Sequence, residues 1–488
     1  MPDVSANGTW WVIVLLVLEM AIRVAAVIIV PRDRRPTAAM AWLLAIFLIP
    51  EIGVLLFLLI GNPRLPRARR LRQDEINSSI REATAEVDFG PPLPDAPASF
   101  TSLVLLNRNL GAMPLSSGNA AQLYPGYEDS IQAMADAVRG ARSFVHVEFY
   151  ILQADETTEV FFQALEEAAA RGVTVRVLMD HWANRSKPFY AQTRKRLDRI
   201  GAAWHLMLPV QPLRGRYQRP DLRNHRKLLV VDGRLAFTGS QNLTDSTYNL
   251  PANLRRGLHW VDLMVCVQGP VVTSIDAVFL GDWYSETGEV LTDEISLDRL
   301  PARSGCLDAQ IVPSGPGFEY QNNLKLFMGL LFAAQQRVIM VSPYFIPDEG
   351  LLVAITTACQ RGLQVELFVS EVGDQAMVYH AQRSYYEALL RAGVRIWMYR
   401  RPFILHSKSM TIDDEIAIIG SSNMDMRSFG LNLEISMLVR GREFVSHLRE
   451  VEADYRAASR ELTLEEWLQQ PLRSTVLDNL ARLTSALQ

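Results

Sequence analysis

A chain of 488 residues, 49% of them apolar, can bury more than one hydrophobic core, and its length predicts two to three domains. Residues 1–73 carry a net charge of +5, which leaves −9 on the remainder of a chain whose total is −4. An acidic body argues against a nucleic-acid-binding protein and fits a body held at an anionic membrane by a basic collar. The three cysteines lack paired or metal-ligand spacing and the eight histidines include no HExxH motif, so we predict free thiols, no metal and no cofactor.

Two apolar segments open the chain, at residues 10–30 and 37–60, and each is long enough to cross about 30 Å of hydrocarbon. The short link between them predicts a two-helix transmembrane hairpin. The arginines that follow the second segment predict that the rest of the chain is in the cytoplasm, although the basic link weakens this bias. Two alternatives stay open: a cleaved signal peptide for the first segment, and a re-entrant helix for the second, which contains Pro50 and Glu51.

Beyond the collar, residues 73–100 are acidic and Pro-rich, which predicts a tether. The order helix, strand, helix, strand then occurs twice, with helices ending at Gly172 and Gly362. The first copy is predicted at 128–139, 144–151, 157–171 and 173–179, and the second at 322–336, 338–346, 349–361 and 365–369. Strands that alternate with covering helices indicate a mixed α/β sandwich in each half. We therefore predict a membrane hairpin with its collar at 1–72, a linker at 73–100, and two α/β halves at 101–304 and 305–488.

The two halves share one motif, HRKLLVVDGRLAFTGSQN at residues 225–242 and HSKSMTIDDEIAIIGSSN at residues 406–423. In both copies His-x-Lys is followed by four residues, Asp, six residues and then Gly-Ser-x-Asn. His-x-Lys puts the imidazole and the ammonium on one face of an extended strand, because side chains alternate with period two. One His, one Lys and one Asn from each half therefore predict a cationic, donor-rich pocket for a phosphodiester.

The duplicated motif resembles the HxKxxxxD signature of the phospholipase D superfamily. The runs RSFGLNLE (427–434) and HAQRSYYEALLRAGVRIW (380–397), with the two N-terminal apolar segments, resemble bacterial cardiolipin synthases of the phospholipase D type. This resemblance covers residues 10 to about 440. It implies two phospholipase D-like α/β halves related by a pseudo-twofold axis, in a multi-pass protein of the cell membrane.

The activity that the resemblance implies is transfer of a phosphatidyl group between two phosphatidylglycerol molecules, giving cardiolipin and glycerol. The expected partners are phosphatidylglycerol and other anionic lipids. A phospholipase D-type hydrolase would use the same residues and stays open as the alternative. The catalytic residues implied are His225, Lys227, Asp232, His406, Lys408 and Asp413.

The resemblance also implies that one histidine forms a phosphohistidine while the other protonates the leaving glycerol. The N-terminal histidine usually is the nucleophile in the family, which favours His225, although the sequence alone leaves the roles interchangeable. The lysines, with Asn242 and Asn423, would hold the nonbridging oxygens. Asp232 and Asp413 lie five positions beyond their lysines, and this odd offset favours a structural role.

Two further pairs of residues complete the candidate site. Ser240 and Ser421 could donate to the phosphate or close the turn. By resemblance Glu434 orients His406 through the second ring nitrogen, and Asp262 is its counterpart for His225, although the two spacings differ.

Three other features carry weaker expectations. An arginine-rich loop at residues 209–226 is either a charged surface loop or a lid that faces phospholipid. Glu148, Tyr150 and Tyr344 occupy strand positions that could face the cleft, although core packing is favoured for the aromatic residues. An apolar stripe that begins at Leu472 predicts a C-terminal helix docked on the body.

Overall fold

The computed structural model describes residues 4–32, 34, 36–61, 65–211, 216–291, 300–318 and 321–483. They fall into two units, residues 1–64 and 65–488. The first unit contains α1 (Val4–Ile29), α2 (Pro36–Leu48) and α3 (Pro50–Ile60). Among the described residues, one helical stretch, Trp10–Ile29, is long and apolar enough to cross a membrane, with 20 residues and a mean hydropathy of 2.8.

The second apolar segment is interrupted between α2 and α3. Ile49 leaves helical geometry, at φ −139° and ψ 81°, and Pro50 begins the next helix, where its missing N–H costs nothing. Helices of 13 and 11 residues rise only about 20 and 17 Å, less than the thickness of the hydrocarbon core. The predicted second membrane-spanning helix is therefore not confirmed.

Instead, α2 and α3 fold back on each other. The rings of Trp42 and Phe57 meet edge to face at 5.5 Å, whereas 15 positions along one straight helix would separate them by about 22 Å. Gly53 allows the close approach, because a Cβ there would lie 2.6 Å from the Cα of Ile46. Arg34 donates to the carbonyl of Gly61 at 3.0 Å, so the segment begins and ends at the same place. These contacts fit the re-entrant alternative.

The second unit is built from two series of elements. The first series contains α4 (Arg67–Ala83), α5 (Ala98–Gly111), β1 (Leu115–Tyr124), α6 (Tyr127–Arg139), β2 (Phe144–Phe149), α7 (Glu159–Ala170), β3 (Thr174–Asp180), α8 (His181–Arg185), α9 (Tyr190–Ile200), β4 (Ala203–Met207), β5 (Val210–Gln211), β6 (Arg216–Tyr217), β7 (Arg223–Asn224), β8 (Lys227–Val231), β9 (Leu235–Gly239), α10 (Pro251–Arg256), β10 (His259–Val261), β11 (Met264–Gln268) and α11 (Val271–Thr287).

The second series contains β12 (Leu307–Ser314), α12 (Asn322–Ala333), β13 (Arg337–Val341), β14 (Phe345–Ile346), α13 (Glu349–Gln360), β15 (Gln364–Ser370), α14 (Ala376–Arg383), α15 (Tyr386–Ala392), β16 (Arg395–Tyr399), β17 (Phe403–Leu405), β18 (Ser409–Ile412), β19 (Ile416–Gly420), β20 (Met424–Asp425), α16 (Met426–Gly430), β21 (Asn432–Arg440), α17 (Arg442–Ala457), β22 (Ser459–Leu462), α18 (Leu464–Leu468) and α19 (Leu472–Arg482).

One sheet runs through both halves, and apart from the edge strand β22 its strand order is palindromic. The order is β22-β16-β15-β13-β18-β19-β21-β12-β1-β11-β9-β8-β2-β3-β4. Reading outward from the central β12–β1 pair, β21 corresponds to β11, β19 to β9, β18 to β8, and so on to β16 and β4. The pseudo-twofold axis therefore passes between β1 and β12, which pair antiparallel.

Helices cover both faces of the sheet. In β8, Leu228 and Val230 point to the core that contains α11 and α17, while Leu229 and Val231 point to the core that contains α6 and α7. Alternation of this kind follows from the period of two along a strand. An unbroken apolar strand such as LLVV therefore indicates a layer buried on both sides.

Most predicted helices and strands of the two halves are present within a few residues of their predicted bounds, and Gly172 and Gly362 have φ of 88° and 89° after their helices. The segment predicted to be a tether is helical over its first part, because α4 continues to Ala83. The same helix contacts the body, since Arg69 pairs with Glu286 on α11 at 2.7 Å. The domain boundaries themselves stay predictions.

The C-terminal helix docks with the opposite face from the one expected. The buried residues of α19 are Asp478 and Ala481, whereas its apolar stripe is exposed. Asp478 contacts His380 at 2.7 Å and Arg383 at 3.2 Å, and these polar contacts fix the rotation of the helix. The prediction that the stripe docks on the body is wrong.

Candidate active site

Each motif histidine follows a short strand that pairs with the opposite half. β7 runs parallel to the start of β21, and the backbone amide of His225 donates to the carbonyl of Leu433 at 2.8 Å. β17 runs parallel to β10, and the amide of His406 donates to the carbonyl of Val261 at 2.7 Å. Each histidine is therefore held by the backbone of the half to which it does not belong.

The carboxylates that contact the histidines also come from the opposite half. Both oxygens of Glu434 lie close to Nδ1 of His225, at 3.0 and 3.1 Å. Oδ1 of Asp262 lies 2.7 Å from Nδ1 of His406. The predicted pairing, Glu434 with His406 and Asp262 with His225, is therefore wrong, although both acids do contact a motif histidine. The strand crossing is the cause, and spacing along the chain does not reveal it.

Both motif lysines are buried beside their own histidines. Lys227 begins β8 and donates to the carbonyl of His225 at 2.7 Å, and Lys408, just before β18, donates to that of His406 at 2.5 Å. Burial lowers the pKa of Lys408 to about 8, and burial together with the charge of Lys408 holds the pKa of Lys227 well below its usual value. A lysine whose pKa is lowered in this way regains its charge when an anion binds beside it. The pair therefore suits a phosphate.

The motif serines bind the two acids. Ser240 donates to Asp262 at 2.6 Å, and Ser421 donates to Glu434 at 2.5 Å. Each hydroxyl also accepts the backbone N–H that follows its acid, from Leu263 and from Ile435, both at 3.0 Å. The sequence left two roles open for these serines, donation to the phosphate or closure of the turn. In the structure their hydroxyls donate to the acids, so they do not donate to the phosphate. They position the carboxylates that position the imidazoles.

The motif asparagines differ between the halves. Asn242 donates to the Tyr248 hydroxyl at 2.8 Å and accepts from the amide of Ile151 at 3.2 Å, so its side chain is used internally. Oδ1 of Asn423 is buried without a hydrogen-bond partner among the described residues. A buried polar atom without a partner is costly, which leaves Asn423 as the motif amide available to a ligand.

The motif aspartates lie at the far end of their strands. Asp232 accepts hydrogen bonds from three consecutive backbone amides, those of residues 142–144, at 2.7 to 3.0 Å. Asp413 does the same for residues 335–337. Each aspartate lies five positions beyond its lysine, about 17 Å along the strand. Although the signature counts them as catalytic, Asp232 and Asp413 hold the beginning of β2 and β13 and do not contact the histidines.

The two histidine–acid pairs differ in charge. Burial holds the pKa of His225 well below its usual value, helped by the charges of both lysines, and burial raises the pKa of Glu434 to about 7. Burial also lowers the pKa of His406, but the charge of Asp262 opposes this. Burial alone would raise the pKa of Asp262, yet the charge and hydrogen bond of His406 leave it below its usual value. In the His225–Glu434 pair, both shifts favour the uncharged forms. In the His406–Asp262 pair, the carboxylate is favoured in its ionised form.

Tyr150 lines the site, although the sequence favoured core packing for it. Its ring is edge-on to the imidazole of His225 at 4.9 Å, and the Lys227 ammonium lies 5.3 Å from its centroid. Burial raises the pKa of Tyr150 to about 12, so the phenol stays protonated. Glu148 is fully buried and accepts from Asn224 at 3.0 Å, so it supports the strand before His225.

The arginine-rich loop is partly structural. Arg223 pairs with Asp180 at 3.2 Å and Arg226 pairs with Asp282, and both guanidinium groups are buried. These two arginines therefore do not belong to a lid that faces phospholipid, and Arg214 lies outside the described residues. Within the described parts of the chain, no group of three or more His, Cys, Asp or Glu side chains is arranged to hold a metal ion.

Comparison with known proteins gives a consistent result. The family profile described as "Cardiolipin synthase, PLD-like domain" matches residues 134–283 and 328–454, and "Phospholipase_D-nuclease N-terminal" matches residues 21–62. Cardiolipin synthase A of Proteus mirabilis is 32% identical over 463 residues, which are 93% of this chain and 94% of the relative. Cardiolipin synthase A of Pectobacterium atrosepticum is 32% identical over 96% of both chains.

The fold also has a match among solved structures. The crystal structure of phosphatidylserine synthase from Haemophilus influenzae Rd KW20 superposes with a TM-score of 0.59 at 14% identity, covering 79% of this chain and 99% of that chain. The predicted fold of two phospholipase D-like α/β halves is thus confirmed. Because the family profile spans both copies of the motif and the relatives align along nearly the whole chain, this protein belongs to the cardiolipin synthase family of the phospholipase D type.

Proposed function

We propose that the protein transfers a phosphatidyl group from one phosphatidylglycerol to a second, giving cardiolipin and glycerol. One observation carries this proposal: the imidazoles of His225 and His406 both have Nδ1 against a buried carboxylate. Engagement of Nδ1 leaves Nε2 of each ring for the substrate. Two such rings with two buried lysines suit two successive displacements at one phosphorus atom. The relatives named cardiolipin synthase A support the choice of lipid.

In the first step, Nε2 of His225 attacks the phosphorus of the donor lipid. The bond from phosphorus to the headgroup oxygen breaks, and His406 gives its proton to that oxygen as glycerol leaves. Lys227 and Lys408 offset the charge that grows on the nonbridging oxygens, and the Nδ2–H group of Asn423 can donate to one of them. The products of this step are free glycerol and a phosphatidyl group bonded to His225.

In the second step, the terminal hydroxyl of another phosphatidylglycerol attacks the phosphohistidine. His406, now neutral, takes the hydroxyl proton as the new P–O bond forms. The P–N bond breaks, and its electron pair returns to the imidazole of His225. Cardiolipin leaves, and both histidines regain the protonation states with which they began.

The assignment of roles rests on the charge difference between the two pairs. A nucleophile must be neutral, and burial with the neighbouring lysines holds the pKa of His225 well below its usual value. A general acid must carry a proton; burial lowers the pKa of His406 too, but the carboxylate of Asp262 opposes this, so His406 holds a proton more readily than His225 does. The two imidazoles must flank the phosphate, because in-line attack places the leaving oxygen opposite the nucleophile.

A phospholipase D-type hydrolase remains the second candidate, since water could replace the acceptor lipid on the same residues. Purified full-length protein should be incubated with phosphatidylglycerol alone, with and without EDTA. We expect cardiolipin and glycerol in both conditions, and no product from His225→Ala. Accumulation of phosphatidic acid in place of cardiolipin would favour the hydrolase, and loss under EDTA that one divalent ion restores would show a metal requirement.

We also propose a membrane topology in which α1 crosses the bilayer and the α2–α3 pair dips into it and returns. The contact of Arg34 with Gly61 supports this, because it brings the start and end of the pair together. The basic link between the first two helices and the arginines after α3 then lie on one side, which removes the conflict in the positive-inside bias. The catalytic body is cytoplasmic in this arrangement, and the N-terminus is on the opposite side.

The two topologies differ in the position of the N-terminus, which gives a direct test. A Ser5→Cys variant, with the three native cysteines replaced by serine, should react with a membrane-impermeant maleimide in intact spheroplasts. A Ser304→Cys variant on the body should react only after the membrane is permeabilised. Protection of position 5 in intact spheroplasts would favour two complete membrane crossings.

A further inference from the structure

A loop of the second half reaches the first half beside the active site. Residues 371–375 connect β15 to α14, and the carbonyl of Gly373 accepts a hydrogen bond from Arg256 of the first half at 2.9 Å. Val372 packs against an apolar cluster that includes Tyr248 and Ile404. Tyr248 is the residue that holds Asn242, and Ile404 lies two positions before His406. The loop is therefore at the cleft between the two halves.

Asp374 presents a carboxylate in this loop. It accepts from the Tyr344 hydroxyl at 2.9 and 3.0 Å, and it is only half-buried. The two residues line a narrow pocket whose lining also includes Ser370, Gln375, Gln382 and Ile404. The pocket therefore lies beside the chain that leads into the second motif, because Ile404 is two positions before His406.

Lys187 lies on the first-half side of the same cleft. Its ammonium is 5.2 Å from the ring of Tyr248. Burial lowers the pKa of Lys187. Tyr248 belongs to the same apolar cluster as Val372, which lies two positions before Asp374, so Lys187 and Asp374 approach the cleft from its two sides. Among the described residues, no carboxylate lies within ion-pair distance of the Lys187 ammonium. A partly buried cation of this kind favours an anionic ligand.

The headgroup of an acceptor phosphatidylglycerol has the chemistry that matches this pair. One terminal hydroxyl attacks the phosphohistidine, and the secondary hydroxyl and the acceptor's own phosphate are left to be bound elsewhere. A carboxylate is an acceptor-only group, so Asp374 suits a hydroxyl and repels a phosphate. Lys187 suits the phosphate, because an ammonium is a compact point charge with three donors.

We propose that Asp374 and Lys187 bind the headgroup of the acceptor lipid, Asp374 through the secondary hydroxyl and Lys187 through the phosphate. This inference rests on the proposed transfer between two phosphatidylglycerol molecules, and it adds the feature that separates transfer from hydrolysis. Water cannot bridge the two side chains as a glycerophosphate headgroup does. The pair therefore selects an acceptor with a diol and a phosphate over water.

The test compares Asp374→Asn and Lys187→Gln with matched surface variants, Asp414→Asn and Lys195→Gln, in full-length protein. Cardiolipin and phosphatidic acid are quantified from phosphatidylglycerol. Release of nitrophenol from a phosphatidyl nitrophenol measures the first step without the acceptor. We expect the ratio of cardiolipin to phosphatidic acid to fall about tenfold or more in both site variants, because a lost hydrogen bond to a charged group has effects of this size. Nitrophenol release should stay within about twofold, as should both readouts in the surface variants.

Each other outcome is decisive. An unchanged product ratio, or an equal loss of nitrophenol release, would overturn the acceptor role. A double variant that restores the wild-type ratio would show that Asp374 and Lys187 serve only to neutralise each other. If the wild-type protein makes no cardiolipin from phosphatidylglycerol, the proposed function itself fails, which is a different result from an unchanged ratio in the variants.

The exposed stripe of α19 carries a second inference. Its members are separated by helical spacing and are 49–81% exposed: Leu472, Val476, Leu477, Leu480 and Leu483. The rotation of the helix is fixed by the contacts of Asp478 on its other side. Arg473, on the exposed side of α19, complements an anionic surface, whereas Arg482 lies over the ring of Tyr385 on the body. We infer that this stripe lies in the lipid interface of an anionic bilayer and orients the body for lipid substrates.

The test replaces four residues of the stripe, Leu472, Val476, Leu477 and Leu480, with glutamine, and uses Leu254→Gln and Val353→Gln as exposed apolar controls. We expect activity on phosphatidylglycerol vesicles to fall about tenfold or more, since each leucine in the interface contributes to binding in proportion to its buried apolar area. Activity on monomeric dihexanoyl phosphatidylglycerol should stay within about twofold. Equal effects on both substrates, or no effect on either, would overturn the inference. A change from dimer to monomer would assign the stripe to a second copy of the chain.

Discussion

The two halves of the body place the same motif on corresponding strands, yet they differ in the acid that meets each histidine. His225 contacts Glu434, whose pKa burial raises to about 7, and His406 contacts Asp262, whose pKa stays below its usual value. An acid that is partly protonated at neutral pH adds less charge beside its imidazole, whereas an ionised acid stabilises imidazolium. A symmetric backbone can therefore hold two chemically different histidines, which is what a nucleophile and a proton donor require.

The asparagines show the same division. Asn242 is used within the first half, where it bonds Tyr248, while Asn423 of the second half keeps a buried carbonyl oxygen without a partner among the described residues. The two halves therefore differ in the side chains that they present to the phosphate site, although their strands correspond. The experiments below compare equivalent positions in the two halves, beginning with the largest expected effect.

The largest effect is expected from the histidines. His225→Ala and His406→Ala should each lower turnover at least 100-fold, because acid–base catalysis contributes about 10²–10⁴ and the nucleophile has no substitute. The variants should stay folded and melt cooperatively, but at a lower temperature than the wild type, because each leaves a buried carboxylate without its partner. Turnover is measured as cardiolipin formed per enzyme, and a single variant that keeps more than about a tenth of the rate would exclude a mechanism with two histidines.

Trapping separates the two histidines. Acid-quenched wild-type enzyme should carry a phosphatidyl adduct on His225, found by peptide mapping. His406→Ala should form the adduct slowly from a nitrophenyl phosphodiester and then stall, because it lacks the base for the second step. His225→Ala should form none. An adduct on His406 would reverse the roles and contradict the charge difference described above, and no adduct in any protein would favour direct transfer between lipids.

The next effect is expected from the two acids, and it is not equal. Asp262→Asn removes a charge that raises the pKa of His406, so this pKa falls and the histidine loses its proton at lower pH. The alkaline limb of kcat/KM should therefore move to lower pH. Glu434→Gln should reduce kcat about tenfold with a smaller displacement of the profile, because the Glu434 carboxyl has a pKa of about 7 and is partly protonated already. Equal displacements of the two pH profiles would contradict the proposed difference in charge between the two histidine–acid pairs.

Much of this arrangement could be predicted from the sequence, and the reasons are local. The unbroken apolar strand after Lys227, the helix-ending glycines and the duplicated His-x-Lys each depend on a few neighbouring residues. The odd offset of Asp232 and Asp413 likewise indicated that they point away from the lysines. These patterns predicted the two-half fold and an orientation of the aspartates away from the lysines, while the roles of the motif residues stay predictions.

What could not be predicted depends on contacts between distant segments. The exchange of Glu434 and Asp262 follows from β7 pairing with β21 and β10 pairing with β17, and no spacing within one half encodes it. The outward rotation of α19 depends on a buried Asp478, which a periodic leucine pattern hides. Tyr248, Asp374 and Lys187 reach the cleft from loops, and an isolated Tyr, Asp or Lys carries no signal of its position.

A smaller effect is expected from the serines. Ser240→Ala and Ser421→Ala each remove one short hydrogen bond to a buried acid, of 2.6 Å to Asp262 and of 2.5 Å to Glu434. We expect kcat to fall about tenfold with little change in KM, because the hydroxyl positions the acid and does not contact the phosphate. The Ser240→Ala enzyme should also show the pH displacement of Asp262→Asn in weaker form. A rise in KM without a change in kcat would instead indicate direct contact with the substrate.

The smallest effect on activity is expected from the motif aspartates, and here the halves should agree. Asp232→Ala and Asp413→Ala each release three backbone amides that a carboxylate now binds. Hydrogen bonds to a charged group are among the stronger ones, so we expect each variant to lose about 2 kcal/mol of unfolding free energy while kcat stays within about threefold. Asp414→Ala is the matched control, because its carboxylate makes an exposed ion pair with Arg337 at 2.7 Å, and such pairs contribute about 0–1 kcal/mol. Chemical denaturation of the full-length protein measures the first quantity, and cardiolipin formation measures the second. A loss of activity much larger than the loss of stability, in one half only, would mean that the aspartate of that half acts on the phosphate site and that the symmetry of the structural role is broken.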